Sequence, residues 1–334
     1  MHSFLISVGF FLYFTCNCNG QTRFSYTREK MGSPFTIIFY DSDSAHANRA
    51  AESSFLLVDS LVYIFSDYIN ESELNRVSRS GGLHQDFFVS PALFDILLQS
   101  KAAYKASKGA FDITVGPLTK FWRQARKEKR FPADTVISAI KSRIGFDKII
   151  FNKKQRSVKL TDAGMQLDLG GIAQGYIGQQ VLDYLKSLSI KSVLINVSGD
   201  IAMGDPPPGK KGWTIGINMP ESEEELQKKN LALHQCAVST SGDLYQFIEH
   251  NGKRYSHIID PRSGYGITSQ KNVTVIAEDG TVADWLSTAC SILPVKKALR
   301  LVKKHRAALI IAQMENNKIR YYVSKNIEKY YVQE

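Results

Sequence analysis

Residues 166–185, QLDLGGIAQGYIGQQVLDYL, constrain the fold more than any other stretch of the chain. A short apolar run reading as a buried strand ends at Asp168, turns through Gly170 and Gly171, and passes Gly175 into a helical pattern over about 178–188. Glycine costs roughly 0.5–1 kcal/mol against alanine inside a helix, so glycines gathered at a helix start imply either tight packing or a backbone brought against a ligand. The unpaired N–H groups and partial positive charge of a helix N-terminus suit an anion such as a phosphate. Both readings are open from this stretch alone.

Around it, strands and helices are mixed without strict alternation, which predicts an α+β fold, a single large domain with mixed sheets and packed helices. TIIF within residues 35–39 predicts a strand and residues 45–65 a long helix. Residues 91–106 predict a second helix, with Ser90 as N-cap and Pro91 at its first position. The segment 109–122, GAFDITVGPLTKFW, reads as a loop. Strand patterns recur at 148–151, 158–160, 192–197, 213–217, 236–240, 255–259, 272–277, 307–313 and 321–323, with helices at 242–248, 282–292 and 295–304. One domain over residues 21–334 is preferred; the charge peak RQARKEKRFP marks 120–145 as the place for a split, were there two.

The composition, 43% hydrophobic and 22% charged, is that of a globular protein with a sizeable core. A net charge of +10 raises nucleic acid as a partner, but the basic residues are spread along the chain. The densest run, VKKALRLVKKHR at 295–306, has helical spacing and reads as a solvated helix face, so no nucleic-acid partner is predicted. An acidic protein or an anionic membrane surface fits the same charge.

The run FLISVGFFLYF at residues 4–14 has the length of a signal-peptide core and is too short to span a bilayer. Residues 1–20 therefore read as a signal peptide and the mature chain as exported, periplasmic or peripheral to the inner membrane. Cleavage after Gly20 gives a soluble protein, the preferred form; acylation of Cys16 or Cys18 gives a lipid-anchored one, for which Tyr13, Phe14 and Thr15 make a poor signal. Cys236 and Cys290 remain, too far apart for a local metal-binding pair and compatible with one disulfide.

Two further segments carry chemistry. In VADWLSTA, Asp284 and Thr288 share a helix face four residues apart, a carboxylate and a hydroxyl suited to Mg2+ beside a phosphate, or else an ordinary helix-start residue and its neighbour. In YSHIIDPRSG, His257 and Asp260 flank two apolar residues before a Pro and Gly turn, a pairing that serves either structure or proton transfer. INVSGD and STSGD place Ser-Gly-Asp at further strand ends.

MGSPFTI, SDYINESELNRV, GAFDITVGPL, DLGGIAQGY, INVSGD, STSGD, YSHIIDPRSG and ADWLSTA occur in this order from residue 31 onward, and together they resemble the ApbE family of FAD:protein FMN transferases. The resemblance implies an exported, Mg2+-dependent enzyme that splits FAD at its diphosphate. The FMN half is then attached through a phosphoester bond to a Thr or Ser hydroxyl of an acceptor protein, for which a membrane redox subunit is expected. Carried over by position, it implies FAD contacts from Met31, Tyr68, Ala110, Phe111, Asp112, Asp168, Gln174 and Ile258. Metal ligation falls to Gly171 through its carbonyl and to Asp284, Ser287 and Thr288. His257 and Asp260 are the candidates for positioning or deprotonating the incoming hydroxyl. Many members carry Lys where this chain has Gln174, so one cation near the diphosphate is missing. The same pocket would serve an FAD pyrophosphatase or a flavin-binding protein without activity; the intact Asp284 and Thr288 pair favours transfer.

Overall fold

The structure, a computed structural model, describes residues 20–216, 230–242, 246–316 and 318–330. The leader predicted over residues 1–20 falls outside them except for Gly20, as does Asp243 of STSGD. An antiparallel eight-stranded sheet runs in the order β1 (Thr22–Lys30), β2 (Ser33–Asp41), β6 (Val193–Val197), β7 (Asp200–Met203), β10 (Cys236–Gly242), β13 (Lys271–Ala277), β14 (Ala308–Glu315) and β15 (Lys318–Val323). Smaller sheets join β3 (Phe87–Phe88), β5 (Ser157–Leu160) and β4 (Ile149–Asn152), β8 (Trp213–Ile215) with β9 (Leu231–Leu233), and β11 (Phe247–His250) with β12 (Lys253–Ser256).

Period-two alternation explains the sheet's place in the core. Phe35, Ile37 and Phe39 of β2 enter the main core, whereas Ile38 and Tyr40 face a second apolar layer that includes Trp213, Leu231 and Leu233. All seven residues of β13 are buried, as expected of a central strand covered on both faces. The main core is closed by helices α1 (Ser44–Phe65), α3 (Pro91–Ser107), α6 (Ala173–Ser187) and α7 (Gly280–Ile292). Three more helices, α2 (Glu73–Arg79), α4 (Gly116–Glu128) and α5 (Asp134–Lys141), lie between α1 and the glycine turn in the chain, and α8 (Val295–Lys304) follows α7. The predicted caps are made: Ser90 Oγ accepts from Leu93 N at 3.2 Å with Pro91 in the first turn of α3.

Several expectations change. Residues 109–122 are no loop throughout: Ile113–Val115 form a short 3-10 turn and α4 starts at Gly116, with Pro117 in its first turn. The stretch 120–145 is no linker, because α4 and α5 bury Leu118, Trp122 and Ile137 against Ile248 and Ile259 in a third cluster. The helix expected over 242–248 is not formed where described: Gly242 ends β10 and Phe247 begins β11. Residues 166–169 form no strand; they are held by Leu167 N donating to Ser78 Oγ at 3.1 Å and Asp168 N donating to Ile113 O at 2.8 Å. Cys236 and Cys290 are buried free thiols, their pKa values pushed up by burial to about 11 and about 12.

Candidate active site

The glycine turn is one wall of a cleft of about 390 Å³. Asp168 Oδ1 accepts from Gly170 N at 2.8 Å, and its Oδ2 accepts from Thr119 Oγ1 at 2.6 Å and Arg123 Nη2 at 3.1 Å. The carboxylate therefore ties the turn to α4. The glycines do different jobs. A Cβ on Gly171 would lie 2.8 Å from Thr288 Oγ1, so its backbone is seated against α7 within the cleft. A Cβ on Gly175 would meet Gly280 O at 2.1 Å, so this glycine serves helix packing rather than a ligand.

The floor is carboxylate-rich. Asp284 on α7 is 4% exposed and its Oδ2 accepts from Gly175 N at 2.9 Å. Asp200, at the start of β7, is 9% exposed. Burial pushes Asp200 up to about 7, against hydrogen bonds from Ser239 and Thr240. Burial, then the Asp200 charge, raises Asp284 well above the usual carboxylate range. Ser287 Oγ donates to Asp284 O at 2.8 Å and shares a 3.0 Å hydrogen bond with Ser239 Oγ, which leaves Thr288 as the less committed hydroxyl on this face. Among the described residues no three His, Cys, Asp or Glu side chains cluster closely enough to hold a metal. Any cation here rests on two carboxylates supplemented by hydroxyl and backbone oxygens. Two buried acids without a counter-charge suit such an ion, because it would stabilise the ionised forms that burial opposes.

The opposite wall is cationic and aromatic. Tyr68 is 78% exposed, its ring 4.5 Å from the Arg123 guanidinium carbon. Arg123 also pairs with Asp67, whose pKa is raised by burial and by Asp168. His257 lines the cleft beside Ile258, its Nδ1 buried without a hydrogen-bond partner. Burial, then the Arg126 charge, lowers its pKa, so the imidazole is neutral at neutral pH. Arg126 lines the same wall.

Of the residues nominated from sequence, Tyr68, Asp168, Gly171, Gln174, His257, Ile258, Asp284, Ser287 and Thr288 are brought together around the cleft. Met31, Ala110, Phe111 and Asp112 are not among its lining. Met31 sits at φ 54° in the β1–β2 turn. Ala110 and Phe111 are in the main core, with Phe111 against Trp285 at 6.3 Å. Asp112 Oδ1 accepts from Thr114 N at 2.8 Å and Thr114 Oγ1 at 2.7 Å. Asp260 does not join His257: Arg262 grips it through Nε and Nη2, both at 2.8 Å, and it borders a separate open cavity. INVSGD and STSGD pointed to the strand ends that carry Asp200 and Ser239 without nominating either residue, and Thr119, Arg123 and Arg126 were not singled out in the sequence reading. Positions 119, 123 and 126 are spaced i, i+4 and i+7, one face of a helix, a signal hidden when the segment was read as a loop and a charge peak.

The ApbE family's sequence model matches residues 31–311. An FAD:protein FMN transferase of Klebsiella pneumoniae is 32% identical over 283 residues, covering 84% of this chain and 86% of the relative. One of Haemophilus influenzae is 28% identical over 311 residues, covering 90% and 89%. The apo form of the Pseudomonas stutzeri flavinyl transferase ApbE matches with a TM-score of 0.82 at 28% identity, over 93% of this chain and 97% of that one. The flavin transferase ApbE of Vibrio cholerae, 23% identical, has the same fold, with a TM-score of 0.83 over 93% of this chain and 100% of that one.

Proposed function

The chain belongs to the ApbE family, and from that premise we propose that it is an FAD:protein FMN transferase, moving FMN from FAD to a Thr or Ser hydroxyl of an acceptor protein. The observation that carries the reading is one cleft joining the buried Asp284 and Asp200 carboxylates, the backbone at Gly171 and the neutral His257 imidazole, whose Nδ1 is unpartnered. Asp284, Thr288, Ser287 and the Gly171 carbonyl would hold Mg2+, with Asp200 as additional negative charge. When bound, that ion would neutralise charge on the diphosphate.

The remaining chemistry falls to side chains. Tyr68 offers an exposed ring on which a flat heterocycle can stack. The backbone at Gly170 and Gly171 is open to the cleft. His257 takes the proton of the acceptor hydroxyl as its oxygen attacks the FMN phosphorus. One oxygen–phosphorus bond forms, the bridging phosphorus–oxygen bond breaks, and AMP leaves with the electron pair. Asp260, held by Arg262, has no part in this step. Water in place of the hydroxyl would give FAD hydrolysis from the same site. The apolar run at residues 4–14 supports export and an acceptor on the same side of the membrane, such as a membrane redox subunit.

The test is to incubate the protein with FAD, Mg2+ and a candidate acceptor and to weigh the acceptor. One added FMN is expected, with the label lost when the acceptor Thr or Ser is replaced by Ala. Asp284→Ala should slow labelling about a hundredfold or more while leaving a folded protein. Parent-level labelling by this variant, with a lowered melting temperature, would make Asp284 a structural residue. Release of FMN and AMP without labelling would assign hydrolysis.

A further inference from the structure

The cleft contains a cation with a buried nitrogen that nothing binds. Arg126 Nη1 is shut off from solvent and has no hydrogen-bond partner. The other such buried atom on a cleft-lining residue is His257 Nδ1. A guanidinium nitrogen left unpaired inside a protein costs free energy that a ligand oxygen would recover. Charge accounting across the described lining singles out the same group. Its cations are Arg123 and Arg126, and Arg123 is consumed by Asp67 and Asp168. Gln174, at the start of α6, brings an uncharged amide. Arg126 is also held in place: the neighbouring face of α4 buries Leu118, Trp122 and Ala125, and Trp122 Nε1 donates to Gly264 O at 2.8 Å.

We propose that Arg126 is a phosphate-binding residue of the cleft, its guanidinium donating to a non-bridging oxygen of the FAD diphosphate on the side that carries His257. This rests on the transferase reading, whose substrate supplies the anion. Guanidinium donors suit phosphate oxygens better than a neutral amide does. Burial, then the nearby Arg123 charge, pulls the Arg126 pKa below its ordinary value, as expected of a cation short of counter-charge. A diphosphate reverses that shortage. The arrangement also divides the cleft's labour, with the carboxylates that would hold a metal on the α7 side and a fixed cation on the α4 side.

Flavin fluorescence titrations on the parent, Arg126→Gln and Arg126→Lys test this, with FAD and with riboflavin, which carries no phosphate. Arg126→Gln is expected to weaken FAD about ten- to a hundredfold and to leave riboflavin unchanged, with Arg126→Lys recovering part of the loss. The melting temperature without ligand should hold or rise in Arg126→Gln, because a buried unpaired guanidinium nitrogen has gone. A purely structural Arg126 would instead lower it and weaken both flavins alike, which would overturn the proposal. A parent that binds FAD no better than Arg126→Gln overturns the proposal alone; a parent that binds no FAD at all overturns the transferase reading with it.

Discussion

Asp112 shows how far burial can move a carboxyl group against its own hydrogen bonds. It accepts two hydrogen bonds from Thr114, both favouring the charged form, yet burial outweighs them and pushes it up to about 6, with Asp147 adding to the rise. Its unfolded value is about 4. The folded chain therefore keeps a proton that the unfolded chain releases between about pH 4 and 6. The stability this contributes is fully present below about pH 4 and lost as pH rises through about 6, a swing of up to about 3 kcal/mol. Urea unfolding of Asp112→Asn at pH 4, 5, 6 and 7 should show less loss of stability across that window than the parent. Parallel curves would mean that Asp112 titrates as an ordinary surface acid. Placed this way, the Asp112 side chain caps the 3-10 turn that precedes α4.

At the scale of elements, the decisive contact is α6 against α7. Gly175 and Gly280 face each other so closely that a Cβ on either would strike the other's carbonyl oxygen, at 2.1 Å and 2.6 Å. That approach also sets the 2.9 Å bond from Gly175 N to Asp284 Oδ2. Helix propensity alone predicts that Gly175→Ala gains about 1 kcal/mol. The packing predicts the opposite sign, a loss of about 1–3 kcal/mol as the helices are pushed apart, with FMN labelling of the acceptor reduced because Asp284 moves. Gly170→Ala should be far milder, since its added carbon meets only Asp168 Oδ1 at 3.0 Å. Equilibrium unfolding of the two variants checks the pair; a stabilised Gly175→Ala would mean that the interface yields without strain.

Over the whole molecule, the cleft lies between two bodies of different size. One is the main sheet with α6 and α7; the other is the small cluster of α4, α5 and the β11–β12 hairpin. Trp122 is the anchor of the smaller body, fully buried and in ring contact with Phe131, Tyr255 and Tyr265. Trp122→Ala should cost about 3–5 kcal/mol, with the Gly264 carbonyl losing its donor as well. The loss should be local. Hydrogen exchange is expected to quicken over residues 246–267 while β13 and β14 keep their protection, and FAD binding should fall because Arg126 and His257 sit on the loosened wall. Uniformly faster exchange would mean that the two bodies unfold as one.

Much of this was legible from the chain alone, for a physical reason. Runs rich in β-branched and aromatic residues such as 35–39 and 272–277, the Ser90 and Pro91 helix start and the i, i+4 spacing of Asp284 and Thr288 depend on neighbours in sequence, so the residues themselves determine them. The ordered motifs likewise carried the family. Tertiary structure alone decided the rest. β1, TRFSYTREK, is too polar to read as a strand and becomes one through its register with β2, from Thr22 opposite Asp41 to Lys30 opposite Ser33. Gly175 resembles a ligand-binding glycine until α7 is laid across it. Asp260 looks like a partner for His257 until Arg262 takes it. The charge state of Asp200 and the isolation of Arg126 depend on which distant elements remove water and which counter-charges they bring, and sequence spacing carries no record of either.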